Sequence, residues 1–216
     1  RNKMNSRVMT KQYNESVTDD ELRKLPVLQF NGRVTLVDSM QKFHRVIGDI
    51  GKPAILGFDT ETRPSFKKGN RYKVSLLQLS DDTRAWLFRL NMIGLPPELT
   101  ALLADKDIIK TGVAIHDDIK ALRSLASFEP RGFVDLQTVV AARGFKQLGL
   151  KKLSAIILGY SISKSQQTSN WEAVELTEPQ QLYAATDAWV CRRIYLALNG
   201  KESHQQQQND ASTDNP

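Results

Sequence analysis

Between Val34 and Leu158, short apolar runs of strand length alternate with segments of helical period. That alternation restricts the fold more than any other feature of the chain. Val34–Val37 reads as a strand. Ser39 then stands where a helix N-cap belongs, and Phe43, Val46, Ile47 and Ile50 recur at the spacing of one helical face. Gly51 and Pro53 stop that helix. Ile55–Asp59 is apolar without alternation, as expected of a strand buried on both faces. Val74–Ser80 and Arg84–Phe88 flank Asp81-Asp82 and read as a hairpin. Pro97–Ala104 reads as a helix and Ile108–Ile115 as a strand. A helix begins at Asp118, with Ile119, Leu122 and Leu125 on one face. Phe133–Leu136 is a short strand, Gln137–Ala142 a helix, and Leu150–Leu158 a helix that ends at Gly159. Strands first, one hairpin, then alternating helices and strands predict an α/β domain with a mixed sheet.

The chain's 216 residues suit one domain, placed at 26–200. Residues 1–25 are polar and read as a poorly ordered extension with a short helix near Asp19–Lys24. The tail 201–216, KESHQQQQNDASTDNP, is of low complexity and reads as disordered. A single cysteine, Cys191, rules out an intrachain disulfide and a Cys-based zinc cluster, and its apolar helical setting reads as core. His44, His116 and His204 are scattered, so a His-rich zinc site is not expected. No apolar run approaches the roughly 18 residues of a membrane span, and residues 1–25 do not resemble a secretory signal. No membrane partner and a cytoplasmic location are the expectations. The formal charge of +6 permits an anionic partner.

Acids gather at the ends of these elements. Asp59 and Glu61, in GFDTET, close a buried strand and point to the same face, because strand side chains alternate. Two like charges side by side are unfavourable unless positive charge lies between them. A solvated strand end and half of a metal site both remain open on this stretch alone. Arg63–Lys73, RPSFKKGNRYK, follows with five basic residues (Arg63, Lys67, Lys68, Arg71 and Lys73) and no acid. Such a loop suits phosphate backbone contacts, and equally a solvated face. Phe66 and Tyr72 in it offer stacking surfaces or loop packing. Asp117 and Asp118 stand at a helix start, where acids commonly cap. In LTEPQQLYAATDAW, Thr177, Pro179 and Gln180 carry a helix-start signature, and Tyr183 and Asp187 lie four apart on one face of the helix that follows. Crowded together, Asp59, Glu61, one of Asp117/Asp118, and Asp187 would need divalent cations, and hard oxygen ligands select Mg²⁺ or Mn²⁺.

FDTET, then GVAIHDDIKAL, then YAATD resemble, in that order, the three motifs of the DEDD 3′–5′ exonucleases. The tyrosine four before the last aspartate resembles the tyrosine subgroup. KVSLLQLSDDTRAWLF, LGLKKLSAIILG and SNWEAVELTEPQQLYAATDAW extend the likeness to ribonuclease D and Werner-type exonuclease domains, over roughly 34–199. The resemblance implies a ribonuclease H-like fold: a mixed five-stranded sheet with one antiparallel strand, flanked by helices. It implies that Asp59, Glu61, Asp118 and Asp187 bind two divalent cations, and that Tyr183 orients the attacking water. Asp118 is preferred over Asp117 because the family's acid directly precedes the first apolar residue of the helix, here Ile119. Glu61 is implied to meet the terminal 3′-hydroxyl as well. Trp171 reads as packing, and His116 receives no role.

The reading is a metal-dependent 3′–5′ exonuclease that releases nucleoside 5′-monophosphates, with DNA favoured as nucleic-acid partner. An RNA 3′-end trimmer and a catalytically silent nucleic-acid-binding module are the alternatives. A dinucleotide-binding domain is excluded, because no GxGxxG turn follows any strand.

Overall fold

The computed structural model describes residues 12–69 and 71–200. The tail expected to be disordered, 201–216, and residues 1–11 of the N-terminal extension lie outside those residues. Six strands, β1 (Arg33–Val37), β2 (Ile55–Thr62), β3 (Val74–Ser80), β4 (Arg84–Arg89), β5 (Ile109–Gly112) and β6 (Phe133–Asp135), form one sheet in the order β1-β4-β3-β2-β5-β6. β3 runs antiparallel to both of its neighbours, and every other pairing is parallel.

The sheet therefore has six strands, not the five that the resemblance implies. β1 is the addition. It pairs with the outer edge of β4 from Arg33↔Arg84 to Val37↔Phe88, and so satisfies backbone groups that β4 would leave open. The expected hairpin is present: the Asp81 carboxylate accepts from the Thr83 and Arg84 N–H groups at 3.0 and 2.8 Å and closes the turn between β3 and β4.

Helices cover both faces. They are α1 (Asp19–Lys24), α2 (Met40–Ile50), α3 (Leu90–Ile93), α4 (Pro97–Ala104), α5 (His116–Leu125), α6 (Leu136–Ala141), α7 (Leu150–Leu153) and α8 (Glu178–Leu198). One core joins α2, α3, α4 and α5 to the sheet through Phe43, Leu90, Leu99, Leu103 and Leu122, against Phe58, Leu77, Leu79 and Phe88. The opposite core joins α6, α7 and α8 through Leu136, Val140, Leu153, Ala184, Val190 and Ile194, against Leu76 and Leu87. Among the described residues no helix is long and apolar enough to cross a membrane.

Two boundaries differ from expectation for local reasons. The strand expected to reach Ile115 ends at Gly112, because Ala114 turns to φ 55° and the Asp135 carboxylate accepts from the Ala114 and Ile115 N–H groups. α5 then begins at His116. The helix expected over Leu150–Leu158 is one α turn followed by a π turn over Ser154–Leu158, ended by Gly159 at φ 78°. Within the described part of the extension the short helix expected near Asp19–Lys24 is present. α1 carries a capping box between Thr18 and Glu21, and Leu22 is buried.

Candidate active site

The site forms where α8 lies across β2. Gly57 permits the approach: a Cβ there would stand 1.8 Å from the carbonyl oxygen of Ala188. α8 is started by Thr177, whose hydroxyl accepts from the Gln180 N–H while the Gln180 side chain accepts from the Thr177 N–H. This close crossing sets Asp187 beside the acids that project from β2. Asp59, Glu61 and Asp187 each offer one carboxylate oxygen, and these oxygens lie within 4.8 Å of one another.

Asp118 joins from α5. The Thr60 hydroxyl donates to its Oδ1, while Asp117 is exposed. From the first turn of α5 the Asp118 carboxylate thus reaches across to β2. The Thr60 N–H donates to the Asp59 Oδ1 at 2.8 Å. Asp187 is only 7% exposed; the Tyr183 hydroxyl donates to it, and its Oδ1 has no hydrogen-bond partner.

Crowding and burial shift every acid the same way. Burial, then Asp187 and Asp118, hold the Asp59 carboxyl well above the usual range. Burial, then Asp59, Asp187 and Asp118, push Glu61 up to about 10. Burial raises Asp187 to about 7, against the Tyr183 hydrogen bond and the charge of Lys164. Burial also raises Asp118, against the bond from Thr60. The Tyr183 phenol rises through burial and then the charges of Asp187, Glu61 and Asp59, so it stays protonated. Glu61, held this high, keeps its proton near neutral pH unless a cation replaces it. Clustered hard oxygens with one buried oxygen unpartnered suit a divalent ion such as Mg²⁺ or Mn²⁺.

Asp59, Glu61 and Asp187 open onto a cleft of about 380 Å³, within the range of about 300–1,000 Å³ typical of small-ligand pockets, while Asp118 stands behind Thr60 and is not among its lining residues. Leu150, Ile162, Lys151 and Lys164 contribute to its walls, and Gln137 and Gln167 add amides. Sequence reasoning missed the two lysines. Neither belongs to a charge run or an acid motif, and only the fold brings them opposite the acids. It also missed Asp135, which accepts from the N–H groups of Ala114, Ile115 and Gln137 at 3.0, 3.2 and 2.9 Å and so holds the turn leading into α5. Its position, an acid ending a strand just before a helix, was the available signal.

The basic loop lies elsewhere. Arg63 reaches Glu172 at 3.4 Å, and its guanidinium stands 4.8 Å from the Tyr72 ring. Lys67, Lys68, Arg71 and Lys73 are exposed, and none of these five basic residues lines the cleft. Phe66 is 89% exposed. Trp171 is fully buried, with its ring 6.0 Å from that of Tyr183. Cys191 is buried at the back of the cleft, where burial and the charge of Asp59 raise its thiol pKa. It is a core residue there.

A family model described as 3′-5′ exonuclease matches residues 34–201. The chain belongs to the 3′–5′ exonuclease family. It is 33% identical over 195 residues to the mouse (Mus musculus) bifunctional 3′-5′ exonuclease/ATP-dependent helicase WRN, a match that covers 85% of this chain and 14% of that protein. It is 40% identical over 149 residues to the exonuclease 3′-5′ domain-containing protein 2 of Drosophila melanogaster, covering 67% of this chain and 25% of the relative. The chain thus spans a quarter or less of the length of these two relatives. The crystal structure of the Aedes aegypti Nibbler EXO domain superposes with a TM-score of 0.72 at 26% identity, over 83% of this chain and 94% of that one. The ribonuclease H-like architecture of this family member is shared with such domains.

Proposed function

We propose that this exonuclease removes nucleotides from the 3′ end of DNA in preference to RNA, hydrolysing the terminal phosphodiester to a nucleoside 5′-monophosphate. One observation carries the reading: Asp59, Glu61 and Asp187 converge within 4.8 Å, with a buried, unpartnered oxygen of Asp187 among them. The DNA preference rests on the likeness of the basic loop and the following YKVSLLQLS segment to Werner-type domains, and on the 33% identity to the mouse WRN protein.

Asp59, Glu61, Asp118 and Asp187 are the residues that would hold two divalent cations, Mg²⁺ or Mn²⁺. Bound there, such ions supply a water of lowered pKa and offset charge on the leaving 3′-oxygen. The chain's own groups orient the reactants. The Tyr183 hydroxyl donates a hydrogen bond to Asp187, which leaves the phenol oxygen free to accept one from the attacking water. Because burial keeps that phenol protonated, it positions the water and does not act as its base. Trp171 packs near the Tyr183 ring and limits its movement. Leu150 and Ile162 offer the terminal nucleotide an apolar wall, and Lys151 and Lys164 favour its phosphate.

The test is a gel assay on 5′-labelled single-stranded DNA, 3′-recessed duplex DNA and single-stranded RNA, with Mg²⁺, Mn²⁺ or EDTA. Asp59→Ala protein runs beside the wild type. The expected result is a ladder shortening from the 3′ end, fastest on DNA, absent with EDTA and with the variant. Faster RNA shortening would overturn the DNA preference. Binding without a ladder on any substrate would identify a catalytically silent module and overturn the mechanism.

A further inference from the structure

Residues 12–30 precede the segment that the family model matches, yet they bond to segments that flank the cleft on three sides. Along the first side, Tyr13 places its ring 6.1 Å from Phe145. The Lys146 N–H donates to the Glu15 carbonyl at 3.0 Å, and the two side chains form an ion pair at 2.8 Å. The Val17 N–H donates to the Gln147 Oε1 at 2.8 Å, and Lys152 pairs with Asp19. Along the second side, the Ser161 N–H donates to the Pro26 carbonyl at 3.0 Å, and the Leu28 N–H donates to the Ser161 carbonyl at 2.8 Å. On the third, the Phe30 N–H donates to the Thr186 hydroxyl oxygen at 3.1 Å, one residue before Asp187, and the Phe30 ring meets that of Trp189 at 5.6 Å. Val27, Leu28 and Gln29 also line a side pocket of about 100 Å³ with Tyr183 and Asp187.

The first two sides are the cleft walls that regular structure does least to fix. Gly149, Leu150 and Lys151 line the cleft from the start of α7, a helix of four residues. α7 runs on into the π turn Ser154–Leu158 and is anchored from Leu153 onward, but its first turn, which faces the cleft, has no side-chain N-cap. Ile162, Ser163 and Lys164 line it from a segment outside any named helix or strand. Their placement has to come from what they are tied to.

We propose that residues 13–30 are a positioning strap, which holds segments 145–152 and 161–164 at the spacing that grips a terminal nucleotide. The inference rests on reading the cleft as the nucleotide site. The strap touches no reacting atom. It acts through Leu150, Lys151 and Lys164, so its loss weakens substrate retention more than turnover.

The test uses the full chain with Glu15→Lys and Asp19→Lys together, which turns two attractions into repulsions, and Gln147→Leu as a separate variant. Hydrogen exchange is followed by peptide, and kinetics on a single-stranded 12-mer. We expect amides of 146–152 to exchange about tenfold faster while those of β2 and β3 hold their rates, as in a local opening. KM should rise about three- to tenfold with kcat within about twofold, the signature of lost binding rather than lost chemistry. Adding Lys146→Glu and Lys152→Glu to the charge-reversed protein should restore both readouts. Wild-type exchange and KM in both variants would overturn the strap, and so would faster exchange spread evenly into β2 and β3. Exchange needs no turnover. A protein that hydrolyses nothing yet opens at 146–152 would sink the nuclease reading and leave the strap standing.

Discussion

At the scale of single residues, the clustered acids carry the proposed chemistry and govern how the protein responds to pH. The raised carboxyls bind protons in the folded protein that the unfolded chain releases near pH 4 to 4.5. Stability changes with pH as the protons bound unfolded minus those bound folded, a negative difference in this window. The contribution of Asp187 is therefore full below its unfolded pKa near 4 and is lost as pH rises through about 7. That of Glu61 is lost toward about 10. Metal-free protein should melt at a lower temperature at pH 8 than at pH 5.5, and Mn²⁺ should raise the melting temperature more at pH 8, where fewer protons compete. Equal metal-induced shifts at the two pH values would contradict this. Asp187→Asn removes a buried charge from among like charges. It should raise the metal-free melting temperature at pH 8, abolish the Mn²⁺ shift, and lower kcat by about a hundred- to a thousandfold. A lower metal-free melting temperature would count against electrostatic crowding at the site. Strand alternation made the shared face of Asp59 and Glu61 legible and helical spacing that of Tyr183 and Asp187, whereas the choice of Asp118 over Asp117 came from the family resemblance alone. Lys151 and Lys164 were not legible, because their place in the cleft follows from a loop path that no local period encodes.

At the scale of elements, the site depends on how closely α8 can approach β2. Gly57→Ala would drive a methyl group into the Ala188 carbonyl, where backbone rather than a flexible side chain must yield. We expect a loss of about 1–3 kcal/mol, typical of overpacking. Activity should fall further than stability alone accounts for, because Asp187 rides on the displaced helix. Gly48→Ala is the contrast. Gly48 sits inside α2 with nothing within 4 Å of where a Cβ would stand, so the change should stabilise by about 0.5–1 kcal/mol through helix propensity. Urea melts and kcat of both variants check the pair, and a Gly57→Ala protein of wild-type stability would refute the contact. Gly57 was visible in the sequence only as part of an apolar run. Its use as a crossing point requires knowing which helix crosses. β5 shows the same limit: the apolar residues Val113 and Ile115 read as strand, but the Asp135 carboxylate bends the backbone there by a contact 20 residues away.

At the scale of the whole molecule, charge is divided between two places. The cleft holds the crowded acids with Lys151 and Lys164, and the loop at 63–73 holds exposed cations outside it. The loop was legible as basic; its distance from the cleft lining was not, because composition carries no direction. On the proposed function, a strand with its 3′ end at the acids would extend out of the cleft, and the exposed lysines of the loop would meet it only through its phosphates. Such contacts release counterions and carry no sequence information. Each single-strand phosphate contact adds about 0.7 to the slope of log affinity against log salt, so two add about 1.4. Lys67→Ala with Lys68→Ala should therefore weaken binding of a single-stranded 12-mer and flatten its salt dependence by about 1.4, equally for homopolymers of different base. Anisotropy titrations from 50 to 300 mM salt, in Ca²⁺ to suppress turnover, measure it. An unchanged slope would remove the loop from the path of the strand. It would leave Lys151 and Lys164 as the cations that meet the substrate, and their double alanine variant would then carry the loss.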